Sequence, residues 1–157
     1  MKHLFALVFL TAAIAFGAEP VVWKVENVPA AVTPGNKFAV KLVAKIEPGW
    51  HMYSMKPILG GPVATRIWVG ERQSIRLTGP VRATEPRNVQ DSAFVVEVEI
   101  YDDTAAFIVP LQAAADPPTE SGKPSISVSY QTCDGTICLA PKTVNVEVPV
   151  KIGRSRQ

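Results

Sequence analysis

Cysteine and histidine are both scarce in this chain of 157 residues, with two of each. So few exclude a disulfide-dense scaffold and a four-thiolate zinc site. Charge is sparse as well: 16 Lys and Arg stand against 14 Asp and Glu, a formal net charge of +2, and no long run of either sign occurs. Nucleic acid and anionic membrane surfaces are therefore not expected as partners. The sequence also lacks a helical apolar stripe, an internal repeat, a low-complexity tract and a linker long enough to divide it. No Ser/His/Asp set or phosphate-binding glycine loop stands out, which argues against hydrolase and nucleotide chemistry, and no cofactor is expected.

What is present begins with an address. Met1-Lys2-His3 is a short basic start, Leu4 to Phe16 is an apolar stretch broken only by Thr11, and Ala15 and Gly17 are the small residues that a signal peptidase inspects. The apolar stretch falls short of the ~20 residues that anchor a helix in a bilayer, so a secretory leader cleaved after Gly17 is expected rather than an anchor. No later segment approaches that length. The exported chain then holds 140 residues, with 15 basic and 14 acidic side chains. A domain of this size buries roughly two-thirds of its unfolded surface and needs no covalent staple. In an oxidising compartment its cysteine pair is expected as a disulfide.

After the leader the recurring feature is period-two alternation. Phe38, Val40, Leu42, Ala44 and Ile46 alternate with Lys37, Ala39, Lys41, Val43 and Lys45, which puts three lysines on one face and apolar side chains on the other. Similar patterns occur at Thr65–Val69, Ser74–Thr78, Phe94–Tyr101, Ala106–Leu111, Ile126–Tyr130 and Thr143–Val150, with a shorter one at Val21–Val25, giving about eight strands. Turn signals separate them: Pro34-Gly35, Pro48-Gly49, Gly60-Gly61-Pro62, Gly79-Pro80, Asp102-Asp103, Asp116-Pro117-Pro118 and Ser121-Gly122-Lys123-Pro124. This pattern predicts an all-β, immunoglobulin-like antiparallel β-sandwich over residues 18–152, with a closed barrel as the second architecture. The tail over 153–157 is expected to be disordered.

The cysteines lie in Tyr130-Gln-Thr-Cys133-Asp-Gly-Thr-Ile-Cys138-Leu-Ala-Pro141-Lys, across a hairpin tip. A ring this small stabilises by only about 2 kcal/mol in the chain-entropy model. Its place at a turn also lets another protein's thiol reach the sulfurs. Position alone leaves a structural bridge and a redox-active dithiol both open. The segment is not the CxxC of a thioredoxin, and no βαβ pattern surrounds it.

The residues around the pair resemble a known family. Tyr130-Gln-Thr-Cys133 through Cys138-Leu-Ala-Pro141 is similar to the YQxC…C…PP motif of the N-terminal periplasmic domain of the thiol:disulfide interchange protein DsbD, the disulfide bond corrector family. Gly49-Trp50-His51-Met52-Tyr53-Ser54 resembles its G-[WY]-[HY]-x-Y segment, Gly60-Gly61-Pro62 its following loop, and Phe94 to Tyr101 its cap region and next strand. The likeness runs from about residue 23 to 150. It implies an immunoglobulin-like fold and a periplasmic relay of electrons from a thioredoxin-like donor and a membrane reductase component. The implied acceptors are a disulfide isomerase or a thioredoxin-like protein of cytochrome c maturation. Cys138 would form the mixed disulfide, Cys133 would resolve it, Phe94 would belong to a cap over the sulfurs, and His51 and Tyr53 would lie near them. The family's cap carries two acidic residues just before its Phe, whereas this sequence has Ser92 and Ala93 there, with Asp91 one place earlier. The complete DsbD protein continues into further domains, so here a separate donor protein is expected.

Other readings attach to the same residues. Trp50, Tyr53 and Tyr130 could wall the sulfurs or simply pack in the core. His51, Met52 and Met55, with two thiolates, have the soft-ligand character of a copper(I) carrier, although alternation sends His51 and Met52 to opposite faces. An envelope binding module with a structural disulfide is the remaining alternative. Glu97 and Glu99 read as a solvated strand face.

Overall fold

The computed structural model describes residues 19–116 and 123–153. The leader expected over 1–17, the tail beyond Gly153 and the turn signals at Pro117-Pro118 and Ser121-Gly122 lie outside the described residues. Among the described residues fourteen strands follow one another: β1 (Val21–Glu26), β2 (Ala31–Val32), β3 (Lys37–Ile46), β4 (His51–Tyr53), β5 (Arg66–Trp68), β6 (Ile75–Leu77), β7 (Arg82–Ala83), β8 (Arg87–Asp91), β9 (Val96–Tyr101), β10 (Thr104–Ala113), β11 (Ser125–Tyr130), β12 (Thr132–Cys133), β13 (Lys142–Glu147) and β14 (Lys151–Ile152).

β3 shows how the sequence builds the sandwich. Its Val40, Leu42, Ala44 and Ile46 are buried while Lys37 and Lys45 face water, the outcome alternation requires of a half-buried strand. β10 repeats the rule with Ala105, Phe107, Val109 and Leu111. The two are antiparallel neighbours in a sheet ordered β1-β3-β10-β6, with β7 also on β10. Facing it, β13-β11-β5 contributes Ile126, Val128, Tyr130 and Ile67 to the same core. Each fully buried large side chain in this layer is worth about 1.5–3 kcal/mol. The paths of both sheets end in open edges, so the architecture is a sandwich and not the closed barrel.

A third sheet, β12-β4-β9-β8, positions the cysteines. It feeds two cores at once. Met52 and Tyr101 join the main core, while their neighbours Tyr53 and Ile100 join Val98 and Cys133 in a second, smaller one. β14 pairs with β2 in parallel, the exception to antiparallel pairing.

The structure exceeds the expected eight strands because bridges of two or three residues are too short to show a period. β8 escapes the pattern because Val89 is its one aliphatic residue. The strand expected over Phe94–Tyr101 begins instead at Val96, and Ser92–Val95 forms a turn. Thr143–Val150 stops as a strand at Glu147, just ahead of Pro149, which has no N–H to donate.

Because the main core is built without either cysteine, Cys133→Ser together with Cys138→Ser is expected to stay folded. It should lose about 2 kcal/mol, as the small ring predicts. Thermal unfolding checks this, and a chain unfolded at room temperature would make the disulfide a staple.

Candidate disulfide site

Cys133 ends β12, where its backbone pairs with His51 of β4. Five residues on, Cys138 closes the disulfide, with the two Cα atoms 4.1 Å apart. The intervening turn is held by the Asp134 carboxylate, which accepts the amides of Thr136 and Ile137, both at 2.8 Å. Those bonds, Ile137 first, hold Asp134 below the ordinary aspartate range. Gly135 takes φ 88°, where a side chain would be strained. Gln131 anchors the base: its Oε1 accepts the Val63 amide at 2.8 Å and its Nε2 donates to the Leu139 carbonyl at 3.2 Å.

The two sulfurs differ in access. Cys133 is 2% exposed, whereas Cys138 is exposed, beside an Ile137 that is 54% exposed. A thiol arriving from solvent therefore meets Cys138 first.

Tyr53 lies under the buried sulfur. Its hydroxyl has two acceptors in reach, Asp91 Oδ2 at 2.7 Å and Cys133 Sγ at 2.9 Å, while Cys138 Sγ is at 4.0 Å. His51 Nε2 is 3.4 Å from the same oxygen. One hydroxyl hydrogen serves these neighbours, and the ionised carboxylate is the strongest acceptor. Burial, then the bond to Asp91, pushes the Tyr53 hydroxyl pKa far up, so it stays protonated. Burial alone would raise the Asp91 carboxyl, but the Tyr53 hydroxyl and the amides of Phe94 and Ala93 outweigh it and hold it below its usual value. Burial lowers His51 more than the nearby Asp91 and Asp102 raise it, which favours neutral imidazole. Tyr53 is held in turn by Thr65, whose hydroxyl donates to its carbonyl at 2.6 Å.

The turn between β8 and β9 covers this network. Asp91 Oδ1 accepts the amides of Ala93 and Phe94 at 2.8 and 3.0 Å, and the Asp91 carbonyl accepts the Val95 amide at 2.9 Å. The Phe94 ring meets Tyr53 edge-on, with centroids 6.2 Å apart. Val95 is 77% exposed with φ 58°, a backbone region that β-branched residues avoid. A groove of about 200 Å³ runs along the site, lined by His51, Val89, Asp91, Cys133, Ile137 and Cys138 among others. Arg87, also on its wall, pairs with Asp102 through both carboxylate oxygens.

The structure thus gathers Cys133, Cys138, Tyr53, His51, Asp91 and Phe94 in one place. Tyr130 is elsewhere: it packs in the main core against Trp23, with ring centroids 5.4 Å apart, and Trp50 packs on that core too. No aromatic wall of three rings forms, because Tyr130 and Cys133 feed different cores. Met52 and Met55 also belong to the main core, which separates them from His51. Sequence reasoning missed Thr65, Gln131, Arg87 and Ile137 as parts of the site. Gln131 stands inside the cysteine motif, which is a signal; Thr65 and Arg87 carry none.

Comparison with known proteins bears on the family and the fold. A family model described as the N-terminal part of the thiol:disulfide interchange protein DsbD matches residues 19–149. The solved structure of the N-terminal periplasmic domain of ScsB from Proteus mirabilis is similar in fold, with a TM-score of 0.55 at 17% identity, covering 88% of this chain and 49% of that one. The chain thus spans about half of that protein. The reduced N-terminal domain of DsbD from Neisseria meningitidis matches with a TM-score of 0.49 at 17% identity, over 76% of this chain and 79% of that one. No curated protein sequence matches the chain.

Proposed function

Because the chain belongs to the family of the N-terminal domain of the thiol:disulfide interchange protein DsbD, we propose that it relays electrons between proteins of the bacterial envelope through the Cys133/Cys138 pair. On this reading residues 1–17 are a leader removed on export, and residues 18–152 work in the periplasm as a thiol:disulfide oxidoreductase without a cofactor. The observation that carries the reading is the asymmetry of the sulfurs, one exposed and one buried against a hydrogen-bonded tyrosine.

In the accepting half, a donor's thiolate attacks Cys138 Sγ and the Cys133–Cys138 bond breaks. Cys133 leaves as a thiolate that takes up a proton. The donor's second thiolate then attacks the donor sulfur, which leaves Cys138 as the second thiol and the donor as a disulfide. In the delivering half, Cys138 thiolate attacks an acceptor disulfide, and Cys133 thiolate then attacks Cys138 Sγ to re-form the ring. Two electrons and two protons pass in each half. Tyr53 faces the sulfur that departs and returns, and Phe94 covers the network until a partner displaces the turn. The donor we infer is a thioredoxin-like protein recharged by a membrane reductase component. The acceptors are a periplasmic isomerase or a thioredoxin-like protein of cytochrome c maturation.

The test is reduction of the purified oxidised protein by a reduced thioredoxin-like protein, followed by thiol alkylation and mass measurement. Both cysteines should become alkylated. Structural disulfides typically sit below about −300 mV and resist such donors, so an unmodified disulfide at equilibrium would return the pair to a structural role.

A further inference from the structure

The outer face of the β1-β3-β10-β6 sheet plays no part in the disulfide chemistry, and its composition is unlike the rest of the molecule. Register places Lys24, Lys37, Lys41, Lys45, Arg76 and Arg82 on this face: Lys24 is opposite Val43, Lys45 opposite Val22 and Thr104, Arg82 opposite Ile108, and Arg76 opposite Gln112. The carboxylate among these strands is Glu26, which sits 3.5 Å from Lys24 and 3.4 Å from Lys41. Six cations against one carboxylate give the face a net +5, whereas the whole chain carries +2. Everything outside the face is therefore net negative. Among the described residues no carboxylate pairs with Lys37, Lys45, Arg76 or Arg82.

The spacing is that of a surface and not of a pocket. At about 3.4 Å per residue, Lys37, Lys41 and Lys45 lie roughly 13 Å apart along β3, and the neighbouring strands spread the other cations sideways by about 5 Å each. No concave cluster would grip a single small anion. Between the cations the face is apolar, with Val22 66% exposed and a shallow depression of about 280 Å³ lined by Ala39, Pro80, Arg82, Ile108 and Pro110 among others. Phospholipid matches both the charge and the apolar centre, with phosphates on the lysines and acyl chains against the apolar residues between them. An acidic protein surface would match the charge too and is the alternative that the test below separates.

We propose that this face is a reversible seat on an anionic phospholipid surface. The seat leaves the disulfide free, because the cysteine sheet β12-β4-β9-β8 contributes nothing to the face. A docked molecule can therefore still meet soluble partners. The near-neutral net charge that argues against membrane binding averages over a basic face and an acidic remainder. The proposal is independent of the redox reading.

The protein isolated from the cell envelope is sedimented with phosphatidylcholine vesicles holding about one-third phosphatidylglycerol, and with pure phosphatidylcholine vesicles. It should bind the anionic vesicles alone, and raising salt to about 0.5 M should release it. Lys37→Glu with Lys41→Glu and Lys45→Glu should lower the partition on the order of a hundredfold or more while leaving the β-sheet circular dichroism and the thermal unfolding transition in place, which report that the variant is folded. Equal binding to both vesicle types, or no binding at low salt, overturns the proposal. Undiminished binding by a folded triple variant does so too, as does capture of an acidic protein without vesicle binding. Should the variant fail to fold, the salt and lipid dependence of the wild type decides alone.

Discussion

Replacing Cys133 with alanine should lock the protein onto its partner. Thiol–disulfide exchange passes through a mixed disulfide, and that intermediate persists when the thiol that would resolve it is gone. In the structure Cys138 is exposed, while Cys133 is 2% exposed. The Cys133→Ala protein, reduced and mixed with envelope extract, should accumulate a covalent complex through Cys138 that dissolves in reductant. Cys138→Ala should trap little, because its remaining thiol is buried. Gel shift with and without reductant reads both, and mass spectrometry names the partner. Equal trapping by the two variants would show that burial does not order the sulfurs, and no trapping by either would remove the relay. A copper carrier would behave differently, binding copper(I) through His51 or Met55 and trapping no protein.

The second large effect concerns Tyr53. When a donor attacks Cys138, Cys133 must leave as an anion at a position 2% exposed, and the Tyr53 hydroxyl 2.9 Å away is the group that can turn its hydrogen from Asp91 toward that charge. A hydrogen bond to a charged group is worth about 1.5–3 kcal/mol, which is roughly ten- to a hundredfold in rate. Tyr53→Phe should therefore slow reduction by a thioredoxin-like donor by about that factor. Asp91→Asn should act the other way. It removes a negative charge near the departing sulfur and frees the Tyr53 hydrogen to turn toward it, while an amide oxygen can still accept the Ala93 and Phe94 amides that shape the turn. Stopped-flow reduction of the three proteins across pH distinguishes the cases. Slowing in both variants would mean that Tyr53 and Asp91 merely brace the fold.

The parts of the molecule that follow a period are legible in the sequence alone. β3 and β10 bury the residues that alternation selects, and Gly49 and Gly135 sit at turns with positive φ. The site is legible where a motif names residue types, as at Cys133, Cys138, Tyr53 and His51. It is not legible where function depends on which core a side chain enters. Tyr130 and Cys133 stand three positions apart, yet the chain passes from β11 to β12 between them and delivers them to different cores. Asp91 shows the reverse. Its place in the sequence is one residue early for the cap, but the turn it caps folds back and brings its carboxylate within 2.7 Å of the Tyr53 hydroxyl.

The backbone of Val95 bears on how firmly the turn between β8 and β9 is held. A left-handed conformation costs an L-residue roughly 1–2 kcal/mol, and a β-branched one has no means of relieving it. That cost is charged to the closed turn alone, since an opened turn can relax. It raises the population of opened molecules about 5–30-fold above what the same contacts would allow around a glycine. On the proposed reading, in which a partner displaces this turn, Val95→Gly should make the displaced state rarer and slow exchange with partners.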